Sequence, residues 1–300
     1  MYDTIIIGAG PAGITAGVYA ARKRLDFIVI SKDIGGQTAW SGDIENYTGY
    51  QFITGPDLVA KFEEHMRNYD VELKDNEEVT DIAKSADTVT IKTDKAVYES
   101  KTAIIASGKK TRELGAPGES EFKNKGLTYC ATCDAPLFSG KDVAVIGGGN
   151  SGLDAALQLV RIAKRVYLIN IGEDLTGDPI MREKVCRSGI VTVLNDTRVM
   201  AVLGDKFVTG MKIVKGAKEE ILPVQGIFVE IGLIPNSKFA KGVDKNEYEE
   251  IKVDRRNQTN IPGIFAAGDV TDVPEKQIVI AAGEGSKAAL GVFRYLNQRR

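Results

Sequence analysis

The chain has 300 residues, of which 43% are hydrophobic and 27% are charged, and its formal net charge is −2. These values are ordinary for a globular protein with one large domain or two smaller ones, and they give no electrostatic reason to expect nucleic acid or an anionic membrane as a partner. Three cysteines are far too few for a disulfide scaffold and are typical of a cytoplasmic protein with a catalytic or metal-binding pair. The sequence lacks an apolar run of about 18 residues and enters a strand without a charged leader, so we expect neither a membrane span nor a signal peptide.

The first predicted unit is a strand, a glycine-rich turn and a helix. Residues 3–7 form a continuous apolar, β-branched run, which is typical of a strand buried on both faces. The turn has the pattern G-x-G-x-x-G, in which Gly8 makes the tight turn, Gly10 lets the main chain approach a pyrophosphate, and Gly13 allows close helix packing. This context predicts a dinucleotide-binding fold with the pyrophosphate at the helix N-terminus. The next strand ends at Ser31, where an acidic ribose-binding residue is usual.

The stretch up to the predicted domain boundary contains a helix and then a series of strands. An amphipathic helix is predicted over residues 56–68 and carries His65, the only histidine of the chain, so a catalytic triad or a histidine-based metal site is nearly excluded. Residues 71–105 alternate between apolar and polar side chains and predict meander strands, the last of which is buried and ends in a glycine turn. Residues 109–126 have the composition of a loop, and we place a domain boundary there.

The central motif of the sequence consists of two cysteines three positions apart, with an acid directly after the second one. Beside nucleotide-binding folds, Cys130 and Cys133 predict a redox-active dithiol. The alternative is half of a zinc site, but a second ligand pair is missing because Cys186 stands alone in a predicted helix, so no metal site is expected. We interpret Cys186 as a buried or incidental thiol. Asp134 is the best candidate for a general acid and base, and a helix N-cap is its structural alternative.

A second strand, glycine turn and helix begin roughly 140 residues after the first. The strand over 142–146 leads into the turn 147–152, and the strand after the next helix ends at Asn170, again not an acid. Further strands are predicted over 189–199, 207–214, 227–232 and 263–270, the last running into a Gly-Asp turn, and a final helix is predicted from 277 or 281 to 297. The sequence therefore predicts an α/β fold with two Rossmann-type, three-layer ββα nucleotide-binding domains, the second inserted into the first.

The short motifs found along the chain are those of one family. They are residues 8–13 (GAGPAG), 35–37 (GGQ), 45–47 (ENY), 106–108 (ASG), 130–134 (CATCD), 147–152 (GGGNSG) and 268–269 (GD). In this set the chain resembles the low-molecular-weight thioredoxin reductases and the flavoprotein component of alkyl hydroperoxide reductase, essentially over its whole length. The resemblance implies a homodimer in which residues 1–112 and 243–300 form an FAD-binding domain. Residues 113–242 would form an inserted domain with the dithiol and a degenerate pyridine-nucleotide-type fold.

The resemblance also implies roles for individual residues. The implied FAD-binding residues are Gly8, Gly10, Pro11, Ala12, Gly13, Ser31, Gly36, Gln37, Asn46, Ser107, Gly108, Gly268, Asp269, Gln277 and Ile278. The absence of an acid at Ser31 is common in this family. By the same resemblance, Cys133 faces the flavin, Cys130 attacks the disulfide of the protein partner, and Asp134 exchanges a proton with the leaving thiolate.

The segment after the second glycine turn bears on the electron donor. NADPH-dependent members of the family carry a His-Arg-Arg-type cluster there for the 2′-phosphate, whereas residues 169–178 contain three acids and no arginine. NADPH is therefore disfavoured. NADH users usually place an acid at the strand end, where Asn170 is a weaker match and Glu173 is the only fallback. NADH and a ferredoxin-type donor, as in the ferredoxin-linked flavin thioredoxin reductases, are thus about equally supported, with a slight preference for ferredoxin.

The favoured function is FAD-dependent reduction of a disulfide in thioredoxin or a similar small redox protein. A first alternative is an NADH-dependent flavoprotein of the alkyl hydroperoxide reductase type, which residues 276–285 resemble, although that branch usually carries an extra N-terminal dithiol domain that we do not expect here. A second alternative is a dithiol oxidase that uses oxygen. A flavin-binding sensor is the non-enzymatic alternative, and it would make the C-x-x-C-D motif incidental.

Overall fold

The computed structural model describes residues 1–41, 43–44 and 46–298, and within these ranges it describes all side chains except those of Trp40, Asp43, Thr132 and Cys133. The helices are α1 (Pro11–Arg22), α2 (Gly55–Arg67), α3 (Glu119–Phe122), α4 (Ala131–Asp134), α5 (Asn150–Leu159), α6 (Pro179–Arg187) and α7 (Ile278–Asn297), with 3-10 turns at Gly36–Trp40, Ala135–Phe138 and Gly268–Val270.

The strands alternate with these helices in both halves of the chain. They are β1 (Tyr2–Ala9), β2 (Phe27–Ile34), β3 (Asp43–Ile44), β4 (Ile53–Thr54), β5 (Glu72–Lys74), β6 (Val79–Ser85), β7 (Thr88–Thr93), β8 (Val97–Ile105), β9 (Lys109–Thr111), β10 (Leu127–Thr128), β11 (Asp142–Ile146), β12 (Arg165–Ile169), β13 (Val191–Leu194), β14 (Thr197–Gly204), β15 (Val208–Lys215), β16 (Lys218–Pro223), β17 (Gly226–Val229), β18 (Leu233–Pro235) and β19 (Ile264–Ala266).

The chain divides into two compact units. The first unit comprises residues 1–110 and 234–300, and the second comprises residues 111–233. Each unit contains a parallel sheet with helices and an antiparallel set of strands. The predicted α/β fold with two Rossmann-type domains, the second inserted into the first, is therefore confirmed.

The chain returns to the first unit after residue 233, whereas the family resemblance implied a return after about residue 242. The reason is a set of polar contacts made by Asn236. Its main-chain N–H donates to the carbonyl oxygen of Gly108 at 2.9 Å, and its side-chain amide donates to that of Ser107 at 2.9 Å. These contacts join residues that are far apart in the sequence. The ligand that each unit binds remains a prediction.

The first unit is built on a seven-stranded sheet in the order β5-β2-β1-β8-β7-β6, with β19 also paired to β8. Strands β5, β2, β1, β8 and β19 pair in parallel, and β7 and β6 extend the sheet in antiparallel fashion. In β1, Ile5 lies opposite Ile28 on one side and Ala103 on the other, and all three are fully buried. A strand covered on both faces needs the continuous apolar run that β1 has.

Helices α1 and α7 pack with their main chains in close contact. A Cβ at Gly285 of α7 would lie only 2.0 Å from the carbonyl oxygen of Ala12 in α1. Buried alanines, including Ala16 and Ala288, continue this contact along both helices. Small residues are required here because larger side chains would separate the helices. Neither α7 nor any other helix in the described ranges is long and apolar enough to cross a bilayer.

The second unit contains a parallel sheet in the order β10-β17-β11-β12-β13 and a three-stranded antiparallel sheet, β14-β15-β16. The single strand predicted over 189–199 is wrong, because β13 and β14 belong to different sheets. The chain changes sheet at Asn195 and Asp196, and Asp196 has a left-handed backbone with φ +52°. The exposed strand β16 was not predicted, since its polar sequence resembles that of a loop.

Substitution of Phe228 in β17 is a test of the core packing in the second unit. It is fully buried and makes an edge-to-face contact with Phe138 at a centroid distance of 5.1 Å. We expect Phe228→Ala to lower the free energy of unfolding by about 3–5 kcal/mol, because it leaves a cavity and removes the aromatic contact. The matched control is Phe207→Ala at a side chain that is 65% exposed, which should change stability by at most about 0.5 kcal/mol. Equal denaturation midpoints for the two variants would contradict the described core.

Candidate functional site

The first glycine turn brings main-chain atoms closer together than a side chain permits. Gly8 has φ +104°, and a Cβ there would lie 2.4 Å from the carbonyl oxygen of Ala106, just beyond β8. A Cβ at Gly13 in α1 would lie 1.8 Å from the carbonyl oxygen of Gly8. Both positions therefore require glycine, and together they hold β1, α1 and the end of β8 in one arrangement.

Gly10 differs from its neighbours because its surroundings are open. A Cβ there would meet nothing closer than the carbonyl oxygen of Gly35, at 3.9 Å. Gly10 is the N-cap of α1, where no side chain caps the helix, and the first turn, which begins with Pro11 and Ala12, contains no acid. The uncapped N–H groups and the helix dipole suit an anion. The turn thus has the space and the polarity that a pyrophosphate needs.

Ser31 joins this turn to β2. Its buried hydroxyl accepts the N–H of Ala9 at 3.0 Å and donates to the carbonyl oxygen of Asp33 at 2.5 Å. A bulge in the pairing of β1 with β2 aligns Ala9 with Ile34, so β2 continues beyond the predicted strand end. The serine that replaces the usual acid therefore holds the turn in place.

Two further glycines approach the first turn. Gly36 has φ +53°, and a Cβ there would lie 3.8 Å from the Cα of Gly10. Gly268 follows β19 with φ +75°, and a Cβ there would lie 2.9 Å from the Cβ of Ala12. The structure thus brings two segments that are distant in the sequence, those of Gly36 and Gly268, to the N-terminus of α1.

Polar side chains that the sequence assigned to FAD are linked within the same unit. Gln37 donates from Nε2 to the carbonyl oxygen of Lys109 at 3.1 Å, directly after the assigned pair 107–108. Asn46 donates from Nδ2 to Oε1 of Gln277 at 3.1 Å. Ile278 packs against a small buried cluster formed by Ile44, Ile53 and Leu58. Glu45, from the same predicted motif as Asn46, lies outside the described residues.

A cluster of charged side chains that the sequence analysis missed lies beside Asp269. The Oε1 atom of Glu250 is 2.7 Å from Lys109 Nζ and 3.2 Å from Lys276 Nζ. Burial acts to raise the pKa of Glu250, but the hydrogen bonds from both lysines and from Asn246 outweigh it, so the pKa is lowered. Burial raises the pKa of Asp269, and the two lysines act in the opposite direction. The two lysines therefore favour the ionised forms of the Glu250 and Asp269 carboxylates, which are partly removed from solvent.

These residues fit FAD. The open turn and the uncapped end of α1 suit its pyrophosphate. Asp269 offers a carboxylate that can accept a hydroxyl hydrogen from the sugar alcohol chain, and Gln37 and Asn46 offer amides for polar ring atoms. The fit depends on groups from both sequence segments of the first unit.

The second glycine turn repeats this geometry in the second unit. Gly147 has φ +136°, with a Cβ position 2.1 Å from the carbonyl oxygen of Glu230, and a Cβ at Gly152 would lie 1.9 Å from the carbonyl oxygen of Gly147. The N-cap of α5, Gly149, has φ −90° and ψ −174°, against −80° and −174° at the matching position of the first turn. A Cβ there would meet nothing closer than Oγ1 of Thr176, at 3.9 Å. This turn therefore keeps the open position and the uncapped helix end that suit phosphates.

Asn170 is buried beneath the second turn, and its amide nitrogen is already engaged. Nδ2 donates to the carbonyl oxygen of Gly172 at 2.9 Å and to Oδ1 of Asn195 at 3.0 Å. Its own Oδ1 lies 2.2 Å from where a Cβ of Gly148 would be. Asn170 therefore supports the turn and the following segment, and its two amide hydrogens do not point to a ribose.

The segment after Asn170 lies against the second turn and presents acids to solvent. The N–H groups of Thr176 and Gly177 donate to the carbonyl oxygen of Gly148 at 2.9 Å and 3.2 Å. Glu173 and Asp174 are exposed in this segment. These two carboxylates place negative charge at this edge of the turn, and which nucleotide binds here stays a prediction.

The dithiol motif forms the single helical turn α4. Thr128 Oγ1 accepts the N–H of Cys130 at 3.2 Å and donates to Oδ2 of Asp134. Asp134 precedes the next 3-10 turn but makes no side-chain cap there, so its carboxylate is held by Thr128 instead of acting as a helix cap. Cys130 is half-buried. The main chain of Cys133 belongs to α4, and its side chain lies outside the described residues.

Tyr129 directly precedes Cys130 and fixes the start of the dithiol motif through a contact that the sequence analysis missed. Its hydroxyl donates to Oε1 of Glu119 at 2.7 Å, and burial followed by this carboxylate raises the pKa of Tyr129 far above its usual value. Glu119 is itself buried and also accepts the N–H groups of Leu114 and Gly115, each at 2.6 Å. The segment that enters α4 is thereby fastened to the start of the second unit.

Two other residues considered in the sequence lie at the surface. Cys186 is an exposed free thiol on α6, so of the two predicted alternatives, a buried or an incidental thiol, the buried one is wrong. His65 is exposed in the last turn of α2. Within the part of the chain that the structure describes, no three His, Cys, Asp or Glu side chains are grouped as a metal site.

Comparison with known proteins gives matches over the whole chain. A family model described as pyridine nucleotide-disulphide oxidoreductase matches residues 2–285. A protein named NADH dehydrogenase from Bacillus subtilis (strain 168) is 40% identical over 299 residues, which are 98% of this chain and 58% of that protein. One subunit of alkyl hydroperoxide reductase in Staphylococcus epidermidis (strain ATCC 12228) is 42% identical over 300 residues, 98% of this chain and 59% of that protein. The crystal structure of Lactococcus lactis thioredoxin reductase (FR conformation) has a TM-score of 0.85 at 34% identity, covering 99% of this chain and 100% of that one.

These matches confirm the predicted resemblance at the level of the family and of thioredoxin reductases as structural neighbours. The chain spans 58% and 59% of the length of the two curated relatives described above. The ferredoxin-linked branch of the family stays a prediction.

Substitution of Gly10 is a test of whether the first glycine turn binds FAD. Because its Cβ position is open, we expect Gly10→Ala to keep the melting temperature of the apoprotein but to weaken FAD binding by at least about tenfold, since the methyl group occupies the approach of the pyrophosphate. Flavin fluorescence titration and thermal unfolding measure the two effects. Gly283→Ala, at another open position in α7, should leave FAD affinity unchanged. Unaltered FAD affinity in Gly10→Ala would contradict the assignment.

Proposed function

The chain belongs to the pyridine nucleotide-disulphide oxidoreductase family, and on this premise we propose that it passes electrons from NADH through FAD to a Cys130–Cys133 disulfide and on to thioredoxin or a similar small redox protein. One observation carries the proposal. The dithiol helix α4 and a complete second glycine turn lie in the same unit, and α4 contacts α5, the helix that follows this turn, with Ala131 of α4 and Leu153 of α5 in one buried cluster. A dithiol and a nucleotide-type turn built into one unit support redox chemistry more strongly than either motif alone.

The proposed chemistry uses three residues of α4. FAD, when bound, supplies a carrier that accepts two electrons as hydride and delivers them to the disulfide. Reduction breaks the S–S bond and leaves two sulfurs that take up protons, after which Cys130 attacks the disulfide of the partner and Cys133 displaces the partner's thiolate by re-forming the bond. Asp134, held by Thr128, provides the proton for the departing thiolate. In this proposal the protein acts as a homodimer.

NADH is the proposed donor, which revises the slight preference for ferredoxin. The open Gly149 and the uncapped end of α5 support a nucleotide at the second turn. Glu173 and Asp174 oppose the additional phosphate of NADPH. The relative from Bacillus subtilis is named NADH dehydrogenase, which agrees with this choice.

A second candidate function is supply of electrons to a peroxidase system. It is favoured by the identity of 42% to the alkyl hydroperoxide reductase protein of Staphylococcus epidermidis over 98% of this chain. In this case the disulfide substrate is a dithiol module that serves the peroxidase. The two candidates share the chemistry of α4 and differ only in the partner, so turnover with each purified partner distinguishes them.

Serine substitutions test the dithiol. We expect Cys130→Ser and Cys133→Ser each to lower thioredoxin reduction by at least about a hundredfold, because serine cannot form or exchange a disulfide. Both variants should retain the visible absorbance of bound flavin and its bleaching by NADH. Cys186→Ser, at the exposed thiol of the same unit, is the control and should keep full turnover. Sustained thioredoxin reduction by either α4 variant would remove the dithiol from the mechanism.

Anaerobic flavin bleaching with NADH, NADPH and reduced ferredoxin, added separately, tests the donor. We expect rapid bleaching by NADH and a loss of that rate in Gly149→Ala. The double variant Gly172→Arg/Glu173→Arg should raise NADPH affinity by about tenfold, because guanidinium groups bind a phosphate dianion and because the nearest atom to a Cβ at Gly172 is 3.6 Å away. Glu219→Arg on β16 controls for added charge. Bleaching by ferredoxin alone would refute the NADH assignment.

A further inference from the structure

Lys109, Glu250 and Lys276 form an ion cluster, the Glu250 cluster, that is largely removed from solvent. The Oε1 atom of Glu250 lies 2.7 Å from Nζ of Lys109 and 3.2 Å from Nζ of Lys276, and its Oε2 atom accepts a hydrogen bond from Nδ2 of Asn246 at 2.7 Å. These three charged side chains are only 11–21% exposed. In every other ion pair of the described residues, at least one side chain is more than a third exposed. Because desolvation of charges opposes folding, stability alone does not explain the cluster.

The Glu250 cluster is fastened to the 3-10 turn that carries Asp269. The ammonium group of Lys276 also donates to the carbonyl oxygen of Thr271, which directly follows this turn. The residue after Glu250 donates its main-chain N–H to the carbonyl oxygen of Val270 at 2.9 Å. Both the carboxylate and one of its lysines are therefore held against the segment of the predicted FAD-binding aspartate.

The two lysines connect the cluster to further residues assigned to FAD. The carbonyl oxygen of Lys109 accepts Nε2 of Gln37 at 3.1 Å, and Lys109 directly follows the assigned pair 107–108. Lys276 directly precedes Gln277, the N-cap of α7. The cluster thus joins segments that carry assigned FAD residues, and these segments come from both sequence stretches of the first unit.

We propose that the Glu250 cluster sets the reduction potential of the bound flavin, with Glu250 as a positioning residue that holds both lysines and offsets part of their charge. This inference rests on the proposed function, since it assumes that the first unit binds FAD and that NADH reduces it. It goes beyond that function because it assigns the control of the flavin potential to side chains outside the predicted set of FAD-binding residues.

The charge balance of flavin reduction gives the direction of the effect. A hydride from NADH brings two electrons and one proton, so NADH leaves as NAD⁺ and the flavin gains one negative charge. A nearby positive charge stabilises this reduced form and raises the potential, and a nearby negative charge lowers it. Although burial acts to raise the pKa of Glu250, the hydrogen bonds from both lysines and Asn246 lower it overall. The carboxylate is therefore ionised at neutral pH and offsets one of the two lysine charges.

The experiment measures the midpoint potential of the flavin against a reference dye at neutral pH. It uses FAD-loaded protein with Cys130→Ser and Cys133→Ser, which remove the dithiol as a second two-electron couple. We expect Glu250→Gln to increase the equilibrium constant for flavin reduction about tenfold, which is a rise of about 30 mV, because one lysine charge is no longer offset. Lys276→Met should shift the potential by a similar amount in the opposite direction.

The double variant Glu250→Gln/Lys276→Met distinguishes charge from structure. It has the same net charge as the original cluster, so its potential should return close to the original value. A purely structural role would give neither opposite signs in the single variants nor their cancellation in the double variant.

The matched control is the ion pair between Asp3 and Lys101, in which Oδ1 and Nζ are also 2.7 Å apart. This pair lies at the start of the parallel strands β1 and β8, whereas the glycine turn follows the end of β1. Asp3→Asn removes the same charge roughly 16 Å along the strand from Gly8. At that distance salt screens the interaction, so the flavin potential should not change.

Shifts of the same sign in Glu250→Gln and Lys276→Met, or potentials equal to that of the original cluster, would overturn the inference. Thermal unfolding and the flavin absorbance spectrum show whether each variant is folded and loaded. If Glu250→Gln does not fold, Lys109→Met and Lys276→Met continue the test, because each should lower the potential. Absence of bound FAD from every form of the protein would reject the proposed function and this inference with it. Unmoved potentials in a protein whose flavin NADH still bleaches would reject only the role of the cluster.

Discussion

Contact between main chains at the two glycine turns is the constraint on which the rest of the structure depends. In both turns the carbonyl oxygen of the first glycine occupies the place where a side chain of the last would begin, as Gly8 does for Gly13 and Gly147 does for Gly152. The strand and the helix are therefore locked together at a distance that only glycine allows. The same geometry leaves the helix N-terminus uncapped and open, so a structural necessity of the fold also creates an anion site.

A partly buried carboxyl group has different surroundings in the two units. In the first unit, two lysines bind Glu250 beside Asp269, and the partly buried carboxylate is compensated by several hydrogen bonds. A buried ion needs such partners, because desolvation otherwise costs more than the ion pair returns. In the second unit, burial raises the pKa of Glu230 to about 7, so this carboxyl responds to burial by a shift of its pKa instead. The first arrangement holds a fixed charge, and the second yields a charge that can change.

Much of the fold and part of the candidate site could be predicted because the signals are local. A continuous apolar strand, a glycine turn and a helix of small residues are consecutive in the sequence, so both Rossmann-type units were recognisable from patterns of a few residues. The dithiol motif is equally local. The prediction failed where neighbours in the sequence separate in space: residues 189–199 look like one strand, but Asp196 adopts a left-handed backbone and the two halves join different sheets.

The sequence by itself determined the α/β class, the two glycine turns, the dithiol pair and the acid that follows it, because each depends on the backbone preferences and spacing of adjacent residues. Only the tertiary structure decided that Ser31 fastens the first turn, that two lysines converge on Glu250, and that Tyr129, at the entry to α4, donates to Glu119. These contacts join residues tens to hundreds of positions apart, and no local pattern encodes which of many carboxylates will be buried. Burial sets the local dielectric and the available hydrogen-bond partners, and these arise only when the chain has folded.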